Sequence, residues 1–226
     1  NARTEAVINK LYEDVTKDVT VDQTTVDTLY QEKVEADKTK YEGTSSSYEQ
    51  AMQQGTTIYY HPAGYRYVRH ILIKFPDDVA SQISTLRSNG DTEGADALRA
   101  EELAKLQGEA EAALSRVQGG EDFVTVMNEL SDDPGSKSYP DGYVLGSAST
   151  SYVKEFVSGA MELSAPGDIS GLVASDYGYH IIQYAKDAPS GATPYEEVSD
   201  ALYNDALSER KYEVYQAEME KWIDRK

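Results

Sequence analysis

Two stretches far apart in the chain alternate like half-buried strands, and each carries a histidine. The first is Tyr67-Val68-Arg69-His70-Ile71-Leu72-Ile73-Lys74, the second Gly178-Tyr179-His180-Ile181-Ile182-Gln183-Tyr184. With a period of two, His70, Leu72 and Lys74 share one face of the first strand, and Arg69, Ile71 and Ile73 share the other. The chain has only three histidines, and two of them occupy equivalent places on its clearest strand candidates. The rest of the sequence reads as a frame that brings these strands together.

The intervening sequence is mainly helical in pattern. Val79, Ile83 and Leu86 form a short apolar stripe that Ser88-Asn89-Gly90-Asp91 interrupts. Leu103, Leu106, Ala110, Ala113 or Leu114, and Val117 form a longer one that Gly119-Gly120 stops. Phe123, Met127 and Leu130 mark a third helix, ended by Ser131-Asp132-Asp133-Pro134-Gly135. Tyr143-Val144-Leu145 is a short strand candidate. Val153, Phe156, Val157, Ala160 and Met161 mark another helix, and Leu172-Val173-Ala174 precedes the second histidine strand across a turn.

The two ends are helical and polar. Val7, Ile8, Leu11 and Val15 have helical spacing, and a second helix is expected after Thr20-Val21-Asp22, with Asp22 or Thr20 as its cap. Tyr41 to Ser47 reads as a break, Tyr48 to Gln54 as one more helical piece, and His61-Pro62-Ala63-Gly64 as a turn. Thr193-Pro194-Tyr195-Glu196 has the form of a capping box opening a long helix through Val198, Leu202, Tyr212, Tyr215, Met219 and Trp222. Neither end has the apolar content to fold alone, so each is expected to pack on the other.

Composition narrows the function classes. A net charge of −19 speaks against nucleic acid as a partner, because phosphate binding needs clustered Lys and Arg. The absence of cysteine removes disulfides, thiolate catalysis and Cys-based metal sites. No His-x-x-His or His-x-Asp cluster suggests a metal, and no Gly-x-Ser-x-Gly elbow suggests a nucleophilic serine. No apolar run approaches the ~20 residues of a membrane span. The chain lacks an initiator Met, which suggests a start inside a longer precursor and keeps a removed leader open.

Five motifs then stand in series: Arg69-His70-Ile71-Leu72, Gly119-Gly120-Glu121-Asp122-Phe123, Ser131-Asp132-Asp133-Pro134-Gly135-Ser136, Val153-Lys154-Glu155-Phe156 and Gly178-Tyr179-His180-Ile181-Ile182. Over residues 65–186 the series resembles the parvulin family of peptidyl-prolyl isomerases. The helical flanks resemble those of PrsA-type extracellular foldases.

This resemblance implies an α+β parvulin domain of the FKBP-like superfold, with a small, mainly antiparallel sheet and surrounding helices. The implied organisation is an N-terminal chaperone-like segment, 1–64, an isomerase domain, 65–187, and a C-terminal helix, 188–226, packed on the N-terminal segment. It also implies site roles. His70 and His180 match the family's paired histidines, Asp133 the acidic or thiol position beside the isomerising carbonyl, and Ser175 the hydroxyl that orients the pair. Leu145, Tyr152 and Phe156 match the pocket for the proline ring, with Tyr152 in place of a common Met. The usual Gly-Gly-Asp-Leu-Gly is here Asp141-Gly142-Tyr143-Val144-Leu145-Gly146. Neither cofactor nor metal is implied.

The implied activity is non-covalent prolyl cis/trans isomerisation on unfolded or partly folded clients with Xaa-Pro bonds, outside the cytoplasm at a bacterial cell surface or in secreted form. A non-catalytic holdase on the same fold is the rival reading. Homodimer formation and a lipid or leader anchor upstream of Asn1 stay open. Lys74-Phe75-Pro76-Asp77-Asp78 lacks the basic cluster of phosphate-directed members, so no phospho-Ser/Thr preference is expected. Residues 76–107 stand where a short loop is usual, and read either as a surface elaboration or as a client-binding or dimer-forming arm.

Overall fold

The alternating stretch Tyr65–Lys74 forms β2, the central strand of the fold, in a computed structural model that describes residues 2–136 and 138–224. It pairs antiparallel on one side with β5 (Gly178–Asp187) and on the other with β3 (Tyr143–Gly146). With β4 (Val173–Ser175) on the outer edge of β5, the sheet runs β3-β2-β5-β4. Every neighbour is antiparallel.

Both faces of this sheet are covered, which explains why hydrophobic residues occupy both parities of β2. Ile71, Ile73 and Ile181 pack against Ala110, Ala113 and Val117 of α5 (Thr92–Gln118) and Phe123, Val126 and Met127 of α6 (Phe123–Leu130). On the opposite face, Val68, Leu145 and Ile182 pack against Phe156 and Ala160 of α7 (Lys154–Met161). α4 (Asp77–Ser88) adds a small cluster of its own, Phe75, Ile83 and Ala95, between itself and the start of α5. Asp91 caps α5 by accepting from the Gly94 amide at 2.9 Å. The expected insertion is therefore α4 plus the first turns of α5, and its second stripe runs unbroken into the helix that covers the sheet.

The chain divides into two compact units. The larger comprises residues 41–56 and 62–190, with the sheet, α3 (Ser45–Gln53) and α4 to α7. The smaller comprises residues 1–40, 57–61 and 191–226. It holds α1 (Ala2–Thr16), most of α2 (Gln23–Glu42), β1 (Tyr60–His61), β6 (Gly191–Ala192) and α8 (Tyr195–Asp224). In it, Val26 and Val34 of α2 bury against Val198, Leu202 and Ala206 of α8, and Tyr12 of α1 meets Tyr215 of α8 with ring centroids 5.2 Å apart.

Three local expectations change. The break after α2 is only two residues, Gly43 and Thr44, because the helix continues to Glu42 and α3 starts at Ser45. α3 groups with the larger unit rather than with the rest of 1–64, since Tyr48 is fully buried between Tyr41 and Tyr65. Thr193 does not act as a capping-box hydroxyl. It donates to the Ile58 carbonyl at 2.6 Å, drawn there by the β1–β6 pairing. Asp22, by contrast, caps α2 by accepting from the Thr25 amide at 2.8 Å.

Candidate active site

The antiparallel register sets the two histidines diagonally. His70 lies opposite Ile182, and His180 opposite Leu72, so both rings rise from the same face. Diagonal neighbours stand about 7–8 Å apart at the backbone, within reach of two aromatic side chains. Here the rings lie nearly parallel, 13° apart, with Nδ1 of one 3.0 Å from Nδ1 of the other. Both are buried.

The segment after α6 supplies the next group. β3 pairs with β2 only over Tyr65 to Val68, which leaves the edge beyond it free. Ser131 and Asp132 take up that edge. The Asp132 amide donates to the Leu72 carbonyl at 2.8 Å, and the Leu72 amide to Ser131 Oγ at 3.1 Å. Asp133 is thereby directed at His70, with Oδ2 3.1 Å from Nε2. The Tyr143 hydroxyl donates to the same Oδ2 at 2.6 Å, and the Gly135 amide to Oδ1 at 3.2 Å. Gly135 cannot carry a side chain here, because a Cβ would occupy the place of the Tyr143 hydroxyl.

On the far side, the β4–β5 turn places Ser175 Oγ 2.8 Å from His180 Nε2, and Ser175 accepts from the Tyr177 amide at 3.1 Å. Gly178 closes this turn at φ +134°, with no room for a Cβ beside the Ile73 carbonyl. Ser175, His180, His70 and Asp133 thus form one continuous chain of polar contacts, which Tyr143 extends.

Proton placement follows from hydrogen-bond satisfaction. Burial first, and then the neighbouring His70, lower His180 to about 3 against the opposing pull of Asp133. Burial works to raise Asp133, yet the bonds from His70 and Tyr143 outweigh it and hold the carboxyl at about 2. An ionised Asp133 only accepts, so His70 donates from Nε2. With one proton on each ring, His70 Nδ1 accepts from His180 Nδ1–H, and His180 Nε2 accepts from the Ser175 hydroxyl. The donors then run in one direction, from Ser175 through His180 and His70 to Asp133 Oδ2, which also accepts from Tyr143.

An aromatic wall adjoins this chain. The Phe156 ring centroid lies 4.8 Å from that of His70 and 5.5 Å from that of His180. Tyr152 stands 5.9 Å from Phe156 and 5.7 Å from Tyr143. Leu145 is fully buried and Phe156 is 3% exposed, whereas Tyr152 keeps an open face. All seven residues singled out from sequence therefore lie on one side of the sheet. Tyr143 and Ser131 had not been singled out. Tyr143 could have been, since alternation along β3 puts it on the face of Leu145.

A buried dyad of histidines tied to a carboxylate and a hydroxyl, beside an aromatic wall on a four-stranded antiparallel sheet, defines a parvulin-type site. The family model for the PPIC-type PPIase domain, or rotamase, matches residues 70–186, just over half of the chain, and the chain belongs to this family. Among curated proteins, it is 28% identical over 151 residues to the foldase protein PrsA of Clostridium acetobutylicum, covering 66% of this chain and 45% of that protein. It is 36% identical over 108 residues to foldase protein PrsA 3 of Bacillus cereus, covering 48% of this chain and 37% of that protein. The chain thus spans less than half the length of these relatives. Among solved structures, PrsA from Bacillus anthracis aligns over 98% of this chain and 97% of its own, at 21% identity and a TM-score of 0.37.

Proposed function

We propose that the larger unit catalyses cis/trans isomerisation of Xaa-Pro bonds in unfolded or partly folded polypeptides, and that the chain serves as a foldase for exported proteins. One observation carries this reading: the unbroken chain from Ser175 through His180 and His70 to an ionised Asp133, set beside Phe156.

Amide resonance sets a barrier of ~18–20 kcal/mol, and no covalent step is needed to lower it. The planar amide holds negative charge on its oxygen, and twisting returns electron density to nitrogen. An anion fixed beside the carbonyl opposes the planar states more than the twisted one. In this reading Asp133 supplies the anion, and the two histidines and Ser175 hold it and the surrounding dipoles without net charge of their own. Phe156, Leu145 and Tyr152 grip the proline ring while the preceding carbonyl swings. At the end of β2, Lys74 is paired with Asp77 at 2.8 Å and α4 begins with two acidic residues, so the reading includes no preference for phosphorylated substrates. The foldase role outside the cytoplasm rests on the family and on the named relatives. Among the described residues no helix is long and apolar enough to cross a membrane.

The test is acceleration of cis/trans exchange in short Xaa-Pro peptides, which takes tens to hundreds of seconds uncatalysed. The wild-type chain speeds exchange, and Phe156→Ala removes most of that effect. A wild-type chain with no effect across several Xaa residues overturns the enzymatic reading in favour of a holdase.

A further inference from the structure

α3 lies outside the residues that match the family model, yet one of its faces is turned to the loop that carries Tyr152. Ser45, Glu49 and Gln53 follow at intervals of four, so they line one side of the helix. Each bonds to the stretch between β3 and α7. Ser45 Oγ donates to the Ala148 carbonyl at 3.0 Å. Glu49 Oε1 accepts from the Ser149 hydroxyl, which itself accepts from the Gly146 amide at 2.8 Å. Gln53 Nε2 donates to the Tyr152 hydroxyl at 2.8 Å, and that hydroxyl donates in turn to the Val144 carbonyl at 3.2 Å.

The helix itself is anchored independently. Tyr48, on another of its sides, is fully buried with its ring 4.6 Å from that of Tyr65 on β2. Glu49 is 1% exposed, so its bond to Ser149 is sheltered from water. A helix seated by its buried Tyr48 thus bonds a loop of otherwise short, mostly polar residues at three successive points.

We propose that this polar stripe is part of the isomerase site and that Gln53 is a positioning residue that determines substrate fit, acting through Tyr152. This rests on the function proposed above. Leu145 and Phe156 are buried, so the surface a proline ring meets is set by where Tyr152 stands. The Tyr152 hydroxyl has two partners, and Gln53 is the one supplied from outside the residues that match the family model. Tyr152 also abuts Tyr143, whose hydroxyl holds Asp133, so the lock reaches the polar chain through two rings.

The experiment is a double-mutant cycle in the full chain on a series of Xaa-Pro peptides, read as kcat, KM and, by NMR titration, peptide dissociation constants. Gln53→Ala raises KM by about 2- to 10-fold, the worth of one neutral hydrogen bond, with kcat and the unfolding midpoint little changed. Tyr152→Phe has a similar effect, and Gln53→Ala adds less than about 2-fold in that background, because the bond is already gone. A Gln53→Ala chain with wild-type KM, or one with its full effect retained in Tyr152→Phe, overturns the proposal. A wild-type chain that binds the peptides without turning them over overturns only the enzymatic reading, and the cycle is then decided on the dissociation constants. One that neither binds nor turns over overturns both.

Discussion

Tyr143 and His70 donate to the same carboxylate oxygen. The Tyr143 hydroxyl lies 2.6 Å from Asp133 Oδ2, and His70 Nε2 lies 3.1 Å from it. Tyr143 reaches this position because β3 pairs it opposite Val68, two residues before His70 on the same face of β2. The two donors together hold the carboxyl at about 2 despite its burial. Burial, and then the adjacent carboxylate, push the Tyr143 phenol the other way, well above its usual range, so it keeps its proton and remains a donor.

Tyr143→Phe tests that relationship. It deletes one donor and keeps the ring against His70 and Tyr152. A hydrogen bond to a charged group is worth about 1.5–3 kcal/mol, so kcat/KM falls by roughly tenfold or more. The variant folds, and Asp133 titrates at higher pH, which carboxyl-carbon NMR follows. Activity within about twofold of wild type would remove Tyr143 from the site.

Acid should weaken the fold in two overlapping steps. His180 is lowered to about 3 in the folded chain, while an unfolded histidine titrates near 6.5. Between those values the unfolded state binds the extra proton, so stability is full above about pH 6.5 and declines as pH falls. Asp133 at about 2, against 3.8 unperturbed, adds a further loss as pH drops below the unperturbed value and through about 2. Each proton contributes a slope of about 1.4 kcal/mol per pH unit. Urea unfolding of wild type at pH 7.5, 5.5 and 4.5, beside His180→Gln, reads the first step. The variant loses the share of that slope due to His180 and keeps the share due to His61, which burial also lowers. A His180 imidazole that titrates near 6.5 in the folded protein would contradict this account.

The strands and the paired histidines could be read directly because their physics is local. β2 and β5 are apolar runs of strand length, buried on both faces rather than one, and the glycines at 135 and 178 sit where backbone or hydroxyl passes too close for a side chain. α3 was harder. Ser45, Glu49 and Gln53 have helical spacing, but a polar stripe ordinarily faces water, and nothing local says that a loop a hundred residues later will meet it. β1 and β6 are two residues each, too short for any period to register. Thr193 illustrates the converse, where a sound local motif gave way to a bond with Ile58, distant in sequence.

α4 and the first turns of α5 grip the turn that positions Ser175. Arg87 of α4 forks onto Asp176, Nε to Oδ2 at 2.9 Å and Nη2 to Oδ1 at 3.0 Å, and also bonds Asp96 at 2.6 Å. Arg99 of α5 donates to the Ala174 carbonyl at 3.1 Å. The residues on both sides of Ser175 are therefore tied to the insertion, and Ser175 is the hydroxyl at the end of the histidine chain. Arg87→Met removes the fork while keeping much of the side chain's apolar bulk. Because the pair is partly exposed and screened by water, the stability loss is small. A looser Ser175 leaves His180 less well oriented in the twisted state, so kcat falls by about fivefold, the equivalent of about 1 kcal/mol in the barrier. KM holds, because the proline wall is untouched. Asp176→Asn, which keeps one acceptor for the fork, falls between wild type and Arg87→Met. Wild-type kcat in Arg87→Met, measured well below its unfolding midpoint, would make the insertion a surface elaboration with no part in the site.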